Sequence, residues 1–254
     1  MTLPSVLITG AAKRIGAEMA RTFGRNGWHV VIHYGSSAAE AQALAAALPS
    51  AETICCDLGD SAAAAAMVES LAQRLDDWRV LINSASVFAP DDAARIDLET
   101  YRQAMQINAL TPVMMAQAFL FHARAKGGKR MIHVTDQKLE NPNPDFFSYT
   151  MSKHALAATI PMLAMGAAGR NDRIYGLAPG AILASHDQAE HETEVSHRLN
   201  PLGRKTGPAE MADAALFLAN GWLDSGETLF IDSGQHLLAQ PRDVIYLARK
   251  DGPR

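Results

Sequence analysis

Tyr149 and Lys153 stand four residues apart in the stretch Phe147-Ser148-Tyr149-Thr150-Met151-Ser152-Lys153. On a helix that spacing puts both on one face, one turn from each other. An ammonium beside a phenol favours the phenolate, so the pair is expected to lower the Tyr149 pKa and to let the residue exchange a proton near neutral pH. A chance pair on a solvated helix face has the same spacing. The weight of the reading therefore rests on the elements that would position it.

The first of these is a short apolar run, Val6 to Ile8, which reads as a buried parallel strand. It enters Thr9-Gly10-Ala11-Ala12-Lys13-Arg14-Ile15-Gly16, after which Ile15, Met19 and Phe23 recur on one helical face as far as Asn26-Gly27. A strand, a glycine turn and a helix N-terminus in succession aim backbone N–H groups at a phosphate. Arg14 stands where a second glycine often sits. Trp28 to His33 is the second strand, followed by Tyr34-Gly35-Ser36-Ser37 and a helix from Ala38 to Leu48. No acidic residue closes this strand to bind a ribose 2′-hydroxyl. Lys13, Arg14, His33, Ser36 and Ser37 offer cationic and hydroxyl groups suited to a 2′-phosphate, so NADPH is expected over NADH.

Thr53 to Cys56 is the third strand and runs into Asp57-Leu58, where Asp57 either bonds an adenine amino group or caps its own loop. Ser61 is the expected N-cap of a helix reaching Leu75. Val80 to Ile82 leads into Asn83-Ser84-Ala85-Ser86, small enough for the backbone to lie against a cofactor. Phe88, beyond it, is either a core aromatic or a ring at the carboxyl end of the sheet, where ligands bind in such folds. Two helices span Asp97 to Lys126, with Asn108 marking a bend. Met131 to Val134 is followed by Thr135-Asp136, a proline-bearing loop from 139 to 147, and the helix that carries Tyr149 to about Ala168. Arg173 to Leu177 enters Ala178-Pro179-Gly180. A polar segment, 183–207, begins at Leu183 and reads as a mobile substrate lid. The spacing of its His186, His191 and His197 fits no metal-ligand set, so no metal is expected. Pro208 opens a helix to Asn220, Thr228 to Ile231 is the last strand, and 237–254 is a tail.

Seven strands alternating with helices over 254 residues predict one doubly wound α/β domain with a parallel Rossmann-type sheet and helices on both faces. The net charge of -4, with signs mixed, argues against a nucleic-acid partner and leaves a small-molecule substrate. Cys55 and Cys56 read as reduced, buried strand residues. The first ten residues lack a charged leader pattern, and no uninterrupted apolar run reaches about 18 residues, so no membrane partner and a cytoplasmic location are expected.

The ordered set Thr9-Gly10…Gly16, Asn83-Ser84-Ala85, Asn108, Tyr149…Lys153 and Pro179-Gly180 resembles the short-chain dehydrogenase/reductase family over essentially the whole chain. That resemblance implies an NAD(P)-dependent carbonyl or imine reductase. Tyr149 would be its acid/base, Lys153 the tyrosine's partner and ribose ligand, and Asn108 the holder of a relay water. It also implies a homotetramer packed through the helices near Asn108 and Tyr149. The sequence leaves open what the tail after Leu237 does; packing on a neighbouring subunit, toward that subunit's site, is one option. Most of the family carries a serine thirteen residues before the tyrosine; here that position is Asp136. An ionised carboxylate cannot donate a hydrogen bond. Either burial keeps Asp136 protonated or it faces a substrate rich in donors, such as a pterin. Asp136, Arg14, His33-Tyr34-Gly35-Ser36-Ser37 and Ala85-Ser86-Val87-Phe88 together are similar to the pteridine reductase branch, which includes dihydromonapterin reductases. In that branch Phe88 would stack the pterin, Ser86 would touch cofactor and substrate, and Asp136, Tyr149 and Lys153 would be catalytic. A ketone or 3-oxoacyl thioester reductase is the second expectation, and a non-catalytic NADP-binding regulator the third.

Overall fold

The computed structural model describes residues 2–184 and 188–249. Among the described residues seven parallel strands form one sheet: β1 (Ser5–Ile8), β2 (His29–Tyr34), β3 (Ala51–Cys55), β4 (Trp78–Asn83), β5 (Arg130–Val134), β6 (Arg173–Pro179) and β7 (Thr228–Ile231). Their order is β3-β2-β1-β4-β5-β6-β7. The chain thus winds outward from β1 in one direction and from β4 in the other. A parallel pair needs a crossover, and each crossover lays a helix on a face of the sheet.

Burial on both faces explains why the central strands are continuous apolar runs. Val6, Ile8, Val30, Ile32, Val80, Ile82 and Ile132 point to one side, where they meet α1 (Arg14–Arg25), α2 (Ala38–Ala46) and α8 (Pro208–Ala219). Leu7, Val31, Leu81 and Met131 point to the other, against α3 (Ser61–Arg74), α5 (Thr111–His122) and α6 (Phe147–Gly166). The alternation follows from the two-residue period of a strand.

Several expected details shift. Cys55 is exposed and Cys56 half-buried, because β3 is an edge strand. Asp60, not Ser61, caps α3, its carboxylate accepting from the Ala63 N–H at 2.9 Å. Between α4 (Leu98–Ala104) and α5 the bend at Asn108 is a six-residue π-helical segment, Met105–Leu110. The run Leu98–His122 is long and apolar enough by composition to cross a membrane, yet half of that window is buried inside the fold. Within the 183–207 segment lies a short helix, α7 (Glu190–Ser196). Ser185, His186 and Asp187, expected in the lid, fall outside the described residues, as do 250–254 of the tail. Within the rest of the tail lies α9 (Val244–Ala248), which packs on α7 of its own chain.

Candidate active site

A cleft of about 540 Å³ opens at the carboxyl ends of the strands, where the winding direction reverses between β1 and β4. One end is walled by Gly10, Lys13, Arg14, Ile15 and Gly16, by Ser84, Ala85 and Ser86, and by Pro179 to Leu183. The other holds Phe88, Asp136, Lys138, Tyr149 and Lys153, together with Asp243 and Ile245 from the tail.

The glycine turn owes its shape to close approach. Gly10 has φ +64°, and a Cβ there would meet Ala85 Cα at 3.0 Å. A Cβ on Gly16 would lie 2.5 Å from the Gly10 carbonyl oxygen. Thr9 Oγ1 accepts from the Ser84 and Ala85 N–H groups at 2.9 and 3.0 Å, which ties the turns after β1 and β4 together. Arg14 takes φ +56°, a left-handed conformation that costs a non-glycine residue energy and explains why glycine often fills this position. A backbone this closely held, beside the N-terminus of α1, fits a dinucleotide pyrophosphate.

Not every residue expected to hold a cofactor faces the cleft. His33 is buried: the Gly10 N–H donates to its Nδ1 at 3.2 Å, and Nε2 lies 3.0 Å from the Cys56 carbonyl oxygen. With Nδ1 accepting, Nε2 must be the protonated nitrogen. Burial pushes its pKa below the ordinary 6.5, so His33 is a neutral brace for the turn and not a cation for a phosphate. Lys13 and Arg14 stay exposed; Lys13 pairs with Glu40 at 2.7 Å and Arg14 Nη2 donates to the Ala184 carbonyl at 3.1 Å. Tyr34 ends β2, Ser36 and Ser37 follow it, and all three lie outside the cleft walls. Asp57 accepts from the Gly59 N–H at 2.8 Å and caps its own loop, and Leu58 is buried, its carbonyl taken by Thr111 Oγ1 at 2.8 Å. The Asn83 side chain turns into the fold, where Nδ2 donates to the Pro112 carbonyl at 3.2 Å beside His133 Nδ1 at 3.2 Å.

Asn108 works as a clamp. Its Oδ1 accepts from Val87 N–H at 2.8 Å and Ser86 Oγ at 3.1 Å, and its Nδ2 donates to the Val87 carbonyl at 2.9 Å and Ser152 Oγ at 3.0 Å. Both amide hydrogens are engaged, and the side chain fixes the Ser86–Val87 loop against α6. Ser152 Oγ continues to the Tyr149 carbonyl at 2.6 Å.

Tyr149 Oη donates to Asp136 Oδ2 at 2.8 Å, while Asp136 Oδ1 accepts from the Lys138 N–H at 2.9 Å. Burial raises the Asp136 carboxyl above its usual range. Burial, reinforced by the Asp136 carboxylate, pushes the Tyr149 phenol well above its usual value. The expected lowering by Lys153 is thus reversed. The Lys153 ammonium lies 5.6 Å from the tyrosine ring centre and donates to the Val134 carbonyl at 2.8 Å; burial pushes it down to about 8. The carboxyl group, not the ammonium, is the phenol's direct partner.

Phe88 stacks on Phe146 with ring centres 4.0 Å apart and meets Tyr149 edge-on at 4.7 Å. It is a cleft-wall ring with one face already covered. Phe146 has φ +53° and opens α6 without a side-chain cap of its own. Asp91 supplies one from the β4 side, accepting from the Ser148 N–H at 3.0 Å and from Ser148 Oγ. Sequence reasoning missed Lys138, Asp243, Ile245, Gln188, Ser196, His197 and Gln235, all of which line the cleft. Ser196 and His197 are buried, not part of a solvated lid. Among the described residues no cluster of three or more His, Cys, Asp or Glu side chains could hold a metal.

Residues 10–236 match the family model described as enoyl-(acyl carrier protein) reductase, one of the models of the short-chain dehydrogenases/reductases. The chain belongs to the short-chain dehydrogenase/reductase family. Its fold is similar to that of FolM alternative dihydrofolate reductase 1 from Brucella canis, solved in complex with NADP. The TM-score is 0.86 and the identity 28%, over 92% of this chain and 94% of that one. Pteridine reductase 1 of Leishmania tarentolae is 27% identical over 281 residues, 93% of this chain and 97% of its own length. Angucycline C-6 ketoreductase LanV with bound NADP gives a TM-score of 0.83 at 26% identity, over 92% and 96% of the two chains.

Proposed function

We propose that this chain is an NADPH-dependent reductase of a C=N bond in a dihydropterin. The observation that carries the reading is the 2.8 Å bond between Tyr149 Oη and a buried carboxyl at Asp136, where most of the family places a serine. Burial pushes the Asp136 carboxyl toward holding a proton, the direction that a ring-nitrogen acid catalyst needs. NADPH, when bound, supplies the hydride. Gly10, Gly16 and the α1 N-terminus would hold its pyrophosphate, Lys13 and Arg14 its 2′-phosphate, Lys153 a ribose and Pro179 to Leu183 the nicotinamide end. Phe88 and Ser86 stand at the junction of the two ends and would flank the pterin ring. Tyr149 and Asp136 hold the transferable proton between them.

Reduction of a ketone is the second reading, favoured by the intact Tyr149 and Lys153 and by the likeness to a ketoreductase. NADPH oxidation followed with a 7,8-dihydropterin and, separately, with an acetoacetyl thioester separates the two: turnover with the thioester alone would overturn the pterin reading. Tyr149→Phe should cut turnover by about 10²- to 10⁴-fold with NADPH binding intact. A lower KM for NADH than for NADPH would remove Lys13 and Arg14 from the cofactor site. The α4 to α5 face, with Leu110 47% exposed beside Met105 and Val113, is the expected tetramer contact, to be checked by light scattering.

A further inference from the structure

The tail is strapped across the substrate end of its own chain at three points. Arg242 Nε donates to both oxygens of Asp145, at 2.9 and 2.8 Å. Lys138 Nζ lies 2.6 Å from Asp243 Oδ2, with both side chains over nine-tenths buried. Arg249 Nε reaches Glu192 Oε1 on α7 at 2.9 Å. Asp243 has a structural task in this tie, capping α9 by accepting from the Ile245 N–H at 3.0 Å, but that task does not need the Lys138 ammonium. A buried pair recovers at most part of its desolvation cost, and apolar residues of similar volume often do as well. It sits instead beside the proton pair. Lys138 touches Asp136 through its N–H and Asp243 through its ammonium, and Asp243 and Asp136 line one cleft with Tyr149.

We propose that Asp243, delivered by the strap of the same chain, is a positioning residue for the Asp136/Tyr149 proton pair and acts through Lys138. The proposal rests on the reading that this pair is the proton donor. Lys138 brings a positive charge next to a carboxyl that must keep its proton, and that charge favours proton loss. Asp243 cancels it, and its own carboxylate opposes ionisation of the Tyr149 phenol. Of the other charged and titratable groups around the pair, Lys153 also favours ionisation of Asp136, and the rest have separate partners or lie at one remove. Lys153 donates to the Val134 carbonyl, and Asp145 holds Arg242. His154 Nε2 lies 3.2 Å from the Lys138 carbonyl oxygen, and His197 lines the cleft from the lid side. The strap therefore completes the catalytic electrostatics as well as the cavity wall.

The test is the pH profile of kcat on the high-pH side, where the rate falls as the acid loses its proton. Asp243→Asn leaves the Lys138 charge unopposed and should move that limb down by about 1 pH unit. Lys138→Met removes the charge and should move it up. The double variant should return close to the parent profile, and the Kd for NADPH should stay unchanged in all three. Limbs that do not move, or that move the same way in both single variants, would overturn the proposal, since mere loosening of the wall has no sign. Should Asp243→Asn fail to fold, the upward movement in Lys138→Met decides alone. Tyr149→Phe run alongside keeps the two failures apart. Retained turnover there defeats the proton-donor reading, whereas a dead Tyr149→Phe with unmoved limbs defeats only the role of Asp243.

Discussion

At the cofactor end of the cleft each wall follows directly from the end of a strand: Gly10 to Gly16 after β1, Ser84 to Ser86 after β4, Gly180 to Leu183 after β6. At the substrate end the walls come from the short 3-10 turn Gln137–Leu139, a left-handed entry into α6 at Phe146, and a strap whose Arg242 is 97 positions from its anchor Asp145. Local turn chemistry and backbone contacts fix the first end. Long-range charge pairs fix the second. The two ends should accordingly fail in different ways when single residues are changed.

The largest effect is expected from Gly16→Ala. Its Cβ would lie 2.5 Å from the Gly10 carbonyl oxygen and 3.0 Å from Ala11 Cα, both backbone atoms with little room to move. Forcing a methyl into packed space costs about 1–3 kcal/mol. Here that cost falls on the turn that would grip the pyrophosphate, so Kd for NADPH should rise roughly tenfold or more, since about 1.4 kcal/mol is tenfold. Fluorescence titration with NADPH measures it. An unchanged Kd would mean that the turn is not the cofactor's anchor.

The same contrast accounts for what could be read in the sequence. Seven strands, the glycine turn and the Tyr149-to-Lys153 spacing were all legible, because each is a short pattern with a local physical cause. Gly10 needs a positive φ, and Ile8 and Ile82 need two covered faces. His33 misled, since a histidine at the end of a cofactor-binding strand looks cationic, and only its burial shows that it is a neutral acceptor for the Gly10 N–H. Asn108 was placed at a bend, which is a π-helical turn, but its four hydrogen bonds need partners at Ser86, Val87 and Ser152 that no spacing reveals. Lys138 and Asp243 were invisible for the same reason, being 105 positions apart in the numbering. The polar stretch Glu190–Ser196 stays largely solvated, as it reads, and only its end at Ser196 and the following His197 are buried.

A second prediction concerns β5, which runs between the two ends. His133 is fully buried, and burial, with a smaller contribution from the nearby Lys153 charge, pushes its pKa from 6.5 to about 3. The folded protein keeps the imidazole neutral, whereas the unfolded chain takes up a proton below pH 6.5. The stability this group supplies is therefore fully present above pH 6.5 and is lost as pH falls toward 3, by at most about 1.4 kcal/mol per pH unit. Urea melts between pH 7 and 5 should show the decline, and His133→Gln should flatten it. An equal slope in the variant would assign the acid sensitivity elsewhere.

The smallest effect isolates the strap. Arg242 is about one-third exposed while Asp145 is buried, so Arg242→Ala removes a half-screened partner from a buried carboxylate. Asp145 keeps the Asp243 N–H, which donates at 2.7 Å, so the carboxylate is weakened in its support but not stranded. The expected loss is about 1.5–2 kcal/mol of stability, the lower part of the range for a hydrogen bond to a charged group, because the Arg242 side is partly screened. The strap should loosen at its start while Lys138–Asp243 and Arg249–Glu192 still hold. KM for the second substrate should then rise a few-fold, about the factor that 1 kcal/mol corresponds to, with kcat nearly constant and Kd for NADPH unaltered. A variant that lost NADPH binding as well would show that the two ends are mechanically joined, and the division drawn between local and long-range construction would fail at this point.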